Sequence, residues 1–124
     1  MYTERLLWKH YKHICWELTN KQDIALLENS EKRGNSGFER GSGYYHLDHI
    51  IPVRKGFLMG IPPFLIASMD NLKFIPSDDN LNKRDRLTDE SYDVLNKWGI
   101  DSEYIQFRLK EWNEWKKYNS GKTQ

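Results

Sequence analysis

The chain has 124 residues, which suits one small domain that buries roughly two thirds of its unfolded surface. Nineteen basic and eighteen acidic residues leave a net charge of +1, which excludes a protein held to nucleic acid by overall charge alone. The single cysteine, Cys15, excludes an internal disulfide and a four-cysteine zinc site.

Residues 3–20 have the spacing of an amphipathic helix, with Thr3 as its expected N-cap and Glu4 in its first turn. His10 and His13 lie off the apolar face, so solvent-facing histidines are a plainer interpretation than contacts to a metal or a phosphate. The residues expected to face inward recur three or four positions apart: Leu7, Trp8, Tyr11, Ile14, Cys15 and Leu18.

A short second helix is predicted over residues 21–27, and residues 29–43 then lose all periodicity. This stretch holds four glycines and the basic residues Lys32, Arg33 and Arg40. It predicts a mobile loop, either a solvated linker or a basic strap over a phosphate backbone.

Two strands are predicted in the middle of the chain. Residues 44–51 are aromatic and β-branched and end before Pro52, and residues 71–75 form the returning strand, which Pro76 stops. The connection over residues 53–69 is long and apolar, so we expect it to fold over the domain's own core, with Pro62 and Pro63 opening a short helix over 64–68. A homodimer or protein-partner surface on residues 56–66 is the alternative.

Three helices are predicted after the second strand. Ser77 is the expected cap of the first, which carries Asn80, Lys83 and Arg84. Thr88 is the expected cap of a helix over residues 88–98, and Asp101 or Ser102 that of a last helix over 102–118. The residues expected to face inward on these two are Tyr92, Leu95, Trp98, Tyr104, Ile105, Leu109, Trp112 and Trp115.

One ordered set of residues carries a family resemblance. It reads His46-Leu47-Asp48-His49-Ile50-Ile51-Pro52, then Asp70-Asn71, then Ser77-Asp78-Asp79-Asn80 with Lys83. This set resembles the HNH endonucleases, also called His-Me finger or ββα-metal nucleases, over about the middle third of the chain. The resemblance implies an α+β fold: a two-stranded antiparallel hairpin plus a helix over residues 44–87, flanked by the N-terminal and C-terminal helices. The chain departs from compact members in its longer connection and its lack of zinc-binding cysteines.

The residue types in this set suit phosphodiester hydrolysis. Asp48 and Asn80 offer one charged and one neutral oxygen to a hard divalent cation, Mg²⁺ or Mn²⁺, and leave room for phosphate and water. His49 is the candidate general base, because an ordinary histidine pKa near 6.5 leaves it neutral at working pH. Consecutive strand residues point to opposite faces, so Asp48 and His49 can share a site only at a strand end or bulge. His46 lies on the Asp48 face and is interpreted as a metal ligand, as a hydrogen-bond partner of the ligands, or as packing beside Tyr44.

The remaining roles come from the resemblance. It implies that Asn71 fastens the connection by side-chain to backbone hydrogen bonds and so positions the base. Lys83 lies one helical turn after Asn80 and, with Arg84, is expected to hold DNA phosphates.

The predicted function is a metal-dependent DNA endonuclease. A non-catalytic DNA-binding or assembly module on the same scaffold is the alternative, and a zinc site on His46, Asp48 and His49 is disfavoured because no cysteine is near. No apolar run approaches the roughly 20 residues that cross a bilayer, and Met1 to Arg5 lack a signal peptide's hydrophobic region. We therefore expect one domain over residues 1–124 with no membrane partner, in the cytoplasm of a bacterial or phage-infected cell.

Overall fold

The computed structural model describes residues 3–33 and 43–120, and this part of the chain is α+β. Short 3₁₀ turns cover Ile24–Leu26, Ser30–Lys32 and Met69–Asn71, the first of them in place of the predicted second helix. Gly34, Gly37, Arg40 and Gly41 of the predicted basic loop lie outside the described residues. The helices and strands are α1 (Glu4–Asn20), β1 (Tyr45–His49), α2 (Val53–Met59), α3 (Pro63–Ile66), β2 (Leu72–Pro76), α4 (Ser77–Lys83), α5 (Asp89–Lys97) and α6 (Ser102–Ser120).

The hairpin and the helix that follows it form the strand, strand, helix order predicted for the centre. Strands β1 and β2 pair antiparallel, in a register that sets Asp48 opposite Lys73. Helix α4 begins directly after β2, but Ser77 is its first residue and not its cap, so that prediction is wrong. The physical reason is that the Ser77 N–H donates to the Tyr44 carbonyl at 3.0 Å and so continues the hairpin pairing. Pro76 precedes the helix without capping it through a side chain.

The connection between the strands packs on the domain's own core, which confirms the expectation for it. Helices α2 and α3 occupy it, and Met59, Ile61 and Ile66 are buried. At Gly56 a Cβ would lie 2.6 Å from the Tyr11 hydroxyl oxygen, so α2 approaches α1 too closely for any larger residue. Phe64 on the same segment is 63% exposed, and a partner surface there stays a prediction.

Helix α1 has the predicted cap, because the Thr3 hydroxyl accepts from the Leu6 N–H at 3.3 Å. Its buried residues are Cys15 and Thr19. The prediction that Leu7 and Ile14 face inward is wrong, since both are exposed. They lie about 80–100° around the helix from Cys15, at the edge of the face that the rest of the protein covers.

The two C-terminal helices begin at the predicted N-cap residues. Thr88 and Ser91 form a reciprocal capping box, and the Asp101 carboxylate accepts from the Glu103 N–H at 2.9 Å. On α6 the buried residue is Ile105, whereas Tyr104 and Trp115 are exposed, contrary to prediction. Helix α6 meets the rest of the protein chiefly at α2 and also at α5.

The main core joins α1, the connection and the C-terminal helices, and a smaller cluster of Leu47, Leu72 and Phe74 lies under the hairpin. Among the described residues, no helix combines the length and apolar character needed to cross a bilayer.

Candidate active site

A pocket of about 320 Å³ lies where the end of β1 meets α1 and α4. It brings together four residues that the sequence had singled out: Asp48, His49, Asn80 and Arg84. Its wall also contains residues that the sequence had not indicated, among them Lys12, Trp16, Arg54 and Asp85.

The two neighbouring residues of β1 reach this pocket from opposite faces of the hairpin. His49 faces α1, where its ring meets the ring of Trp16 edge-on at 4.8 Å between centroids. Asp48 faces α4, where it pairs with Lys83. Because β1 ends at His49, the two side chains line one cavity despite the alternation of strand residues.

The hydrogen bonds of Thr19 assign the tautomer of His49. The Thr19 hydroxyl donates its one hydrogen to the Cys15 carbonyl, which can only accept, at 2.7 Å. Its oxygen lies 2.9 Å from His49 Nε2 and therefore accepts from Nε2–H. In a neutral imidazole the second nitrogen, Nδ1, then carries the lone pair that can take a proton.

Burial also keeps His49 neutral. The side chain is 6% exposed, and desolvation, with a smaller contribution from the charge of Lys83, lowers the pKa of His49 to about 4. The imidazole is thus neutral throughout the neutral and mildly acidic range.

Lys83 holds Asp48 tightly. Its ammonium donates to the two carboxylate oxygens of Asp48 at 2.8 and 2.9 Å, and to the carbonyls of His49 and Ile50 at 2.7 and 3.1 Å. Burial raises the pKa of Asp48, and the hydrogen bonds and charge of Lys83 oppose that rise. Lys83, predicted as a phosphate contact, thus points at protein oxygens, while Arg84 lines the pocket.

Asn80 and His46 form a second pair on the α4 side of the hairpin. The Asn80 amide Nδ2 donates to His46 Nδ1 at 3.1 Å. The contact uses the amide nitrogen of Asn80 and not its oxygen. Of the interpretations proposed for His46, the contact corresponds to a hydrogen-bond partner of a candidate ligand.

Asn71 is buried behind the site and ties three segments together. Its amide Nδ2 donates to the carbonyls of Ile51 and Ile66 at 3.1 and 2.8 Å, and its Oδ1 accepts from the Ile51 N–H at 2.7 Å. Its own carbonyl accepts from the Ile50 N–H at 2.8 Å. These bonds fix where the chain leaves β1, one residue after His49.

Three side chains that line the pocket carry oxygen atoms of the type that a hard divalent cation takes. Asp48 and Asp85 supply carboxylate oxygens and Asn80 an amide oxygen, which is the donor set that Mg²⁺ or Mn²⁺ takes. A carboxylate has about four lone-pair positions, and the two bonds from Lys83 occupy two of those of Asp48.

The geometry gives no support to a zinc site on His46, Asp48 and His49. Within residues 3–33 and 43–120, no group of three or more His, Cys, Asp or Glu side chains is placed to hold a metal ion. His46, Asp48 and His49 form no such group because His49 turns to the opposite face of the hairpin.

Comparison of the chain with protein-family models, curated proteins and solved structures gave no match. The site is therefore interpreted from its own geometry. Of the residues that sequence reasoning missed, only Thr19 had a signal, as a polar residue one helical turn after Cys15 on the apolar face of α1. Lys12, Arg54 and Asp85 look like ordinary surface charges in the sequence.

Proposed function

We propose that the protein is a metal-dependent endonuclease that hydrolyses phosphodiester bonds in DNA. The observation that carries the proposal is the single pocket shared by His49, Asp48 and Asn80. The cationic side chains of Lys12 and Arg84, and that of Arg54 beside its pairing with Glu4, also line the pocket and suit a phosphate group. The resemblance of residues 46–83 to the HNH endonucleases supports the same reaction class.

The residues have distinct roles in this reaction. His49 accepts a proton at Nδ1 from the water whose oxygen bonds to phosphorus, while the bond from phosphorus to the 3′ oxygen breaks. That oxygen leaves as a 3′-hydroxyl after taking up a proton, and the phosphate stays on the 5′ end. Asp48 and Asn80 would hold a magnesium or manganese ion, which when bound neutralises phosphate charge and stabilises the leaving oxygen. Asn71 keeps the end of β1, and with it His49, in place.

The test is cleavage of supercoiled plasmid by the purified protein with magnesium or manganese at neutral pH. We expect nicked or linear DNA, no cleavage in EDTA, and ends that DNA ligase joins without prior phosphorylation. The ratio of nicked to linear product, read with the mass of the protein in solution, reports whether one strand or two are cut. Plasmid that stays supercoiled with both metals would contradict the proposal.

A non-catalytic DNA-binding module is the second candidate, and one observation favours it. The ammonium of Lys83 already engages both oxygens of Asp48, as it would in a purely structural ion pair. This candidate predicts DNA binding that is equal in EDTA and in magnesium and is unchanged in a His49→Ala variant, with no cleavage in any condition.

In Thr19→Val, His49 is expected to lose its preference for one tautomer. Valine has nearly the shape of threonine but cannot accept a hydrogen bond from Nε2–H. The ¹⁵N chemical shifts of the His49 ring at neutral pH should show the Nε2–H tautomer in the wild type and a mixture in the variant. The cleavage rate should fall roughly fivefold, which corresponds to about 1 kcal/mol for one lost hydrogen bond.

Thr19→Ser keeps the hydroxyl and should restore both the tautomer and the rate. If Thr19 only stabilised the fold, Thr19→Val would lower the melting temperature but leave the ¹⁵N shifts of the His49 ring as in the wild type. That result would refute its positioning role.

A further inference from the structure

Four residues of α1 form a line on its surface, here called the basic stripe: Arg5, Lys9, Lys12 and Trp16. Their spacing of four, three and four residues places them within a sector of about 60° at 3.6 residues per turn. The three cations are exposed and Trp16 is half-buried. The stripe is therefore a row of three positive charges with an aromatic ring at one end.

The basic stripe leads to the candidate active site. A surface groove of about 690 Å³ runs along α1, and Lys9, Lys12 and Trp16 are among its lining residues. Lys12 and Trp16 also line the pocket that holds His49, so these two side chains border both the groove and the pocket. Trp16 meets the His49 ring directly.

No acidic residue of α1 offsets the basic stripe. Glu4 is paired with Arg54, through Nη2 at 3.0 Å, and Glu17 lies 3.3 Å from His13 Nε2. Both carboxylates are off the stripe by at least about 80° around the helix. With an overall charge of only +1, attraction to phosphate has to come from local rows of positive charge, of which the basic stripe is one.

We propose that the basic stripe of α1 is a binding surface for the phosphate backbone of DNA and guides one strand into the pocket at His49. Arg5 and Lys12 are seven residues apart, about 10.5 Å along the helix, which matches about three nucleotides at a rise of about 3.4 Å each. Exposed cations along a groove and an aromatic ring at its end suit a DNA backbone and a base. This assignment rests on the proposed function only in naming the bound strand as the substrate.

The test uses Arg5→Ala with Lys9→Ala, because both residues belong to the stripe but lie outside the pocket. Affinity for a fluorescent DNA duplex is measured by anisotropy in EDTA over a range of salt concentrations. The slope of log K against log salt should become shallower by about 1.8 for two lost phosphate contacts, and affinity at moderate salt should fall at least about tenfold. The melting temperature should stay that of the wild type.

The matched control is Lys21→Ala with Lys110→Ala, which removes the same charge at two exposed positions off the stripe. Its salt slope and affinity should equal those of the wild type. Equal losses in both double variants would mean binding through overall charge and would overturn the proposal, as would an unchanged slope in the stripe variant. Stripe-dependent binding of duplex RNA or of an acidic peptide in preference to DNA would overturn it too.

The two proposals fail in different ways. Lost affinity in the stripe variant, together with a wild type that cuts no DNA, keeps the binding surface and rejects the nuclease. Cleavage by a stripe variant of undiminished affinity rejects the binding surface and keeps the nuclease.

Discussion

His49→Ala is expected to lower the rate of plasmid cleavage by about 10²- to 10⁴-fold, the usual contribution of a general base. The reason is that the proposed base is Nδ1 of His49, which the Thr19 contact leaves without a hydrogen and which burial keeps neutral. The measurement is the initial rate at which supercoiled plasmid is lost with magnesium at neutral pH. Free imidazole in the buffer should restore part of the lost rate, because it can occupy the space that the side chain vacates.

The duplex affinity of His49→Ala in EDTA should stay that of the wild type, which separates a lost base from a lost fold. The pH profile adds a second measurement. His49 acts as a base when deprotonated, and its pKa is about 4, so wild-type kcat/KM should hold between about pH 5 and pH 6.5, where an ordinary histidine becomes protonated. Cleavage by His49→Ala within tenfold of the wild type would remove the residue from the mechanism.

Local signals in the sequence predicted α1, the two strands and the three helices after them, but they did not predict α2 over Val53–Met59, and a 3₁₀ turn stands in place of the helix predicted over residues 21–27. Thr3 and Thr88 cap where a hydroxyl before an acidic first turn predicts a cap, whereas β1 ends at His49, two residues before the predicted end at Ile51. The faces of the long helices were less predictable. Ile14 and Trp115 have helical core spacing but are exposed, because the covered width of a helix depends on neighbours far away in the chain.

The candidate site, too, was only partly predictable from the sequence. The resemblance singled out Asp48, His49 and Asn80, and they do line one pocket. The residues that hydrogen-bond to His49 and Asp48 could not be predicted as their partners from the sequence. Thr19 is 30 positions from His49 and Lys83 is 35 from Asp48, and no local pattern specifies contacts over such separations.

Asp48→Asn is expected to lower cleavage more than about 100-fold and to abolish stabilisation by magnesium, because the variant removes the buried charged oxygen of the pocket. It also leaves the ammonium of Lys83, 11% exposed, without a counter-charge. Removing one partner of a buried ion pair costs about 3–5 kcal/mol, so the melting temperature should fall as well. Asp79→Asn, which neutralises an exposed carboxylate of α4 outside the pocket, is the control and should retain wild-type cleavage.

Lys83→Met separates the proposed metal binding by Asp48 from its ion pair with Lys83. It also breaks the ion pair, but it leaves the carboxylate in place, and a bound cation can then supply the missing positive charge. Magnesium at about 100 times its Kd should stabilise this variant by about 2.7 kcal/mol, a rise in Tm of roughly 10 °C, whereas Asp48→Asn should show no rise. If Asp48 served only to pair with Lys83, magnesium would stabilise neither variant.

Combining Asp48→Asn with Lys83→Met removes both charges and leaves neutral side chains of similar size. Replacing both members of a buried ion pair is often neutral for stability, so the double variant should regain most of the melting temperature that Asp48→Asn alone loses. Its cleavage should nevertheless stay as low as that of Asp48→Asn, because the charged oxygen is still missing. A stable double variant that cuts plasmid at the wild-type rate would show that the carboxylate serves the fold and takes no part in the reaction.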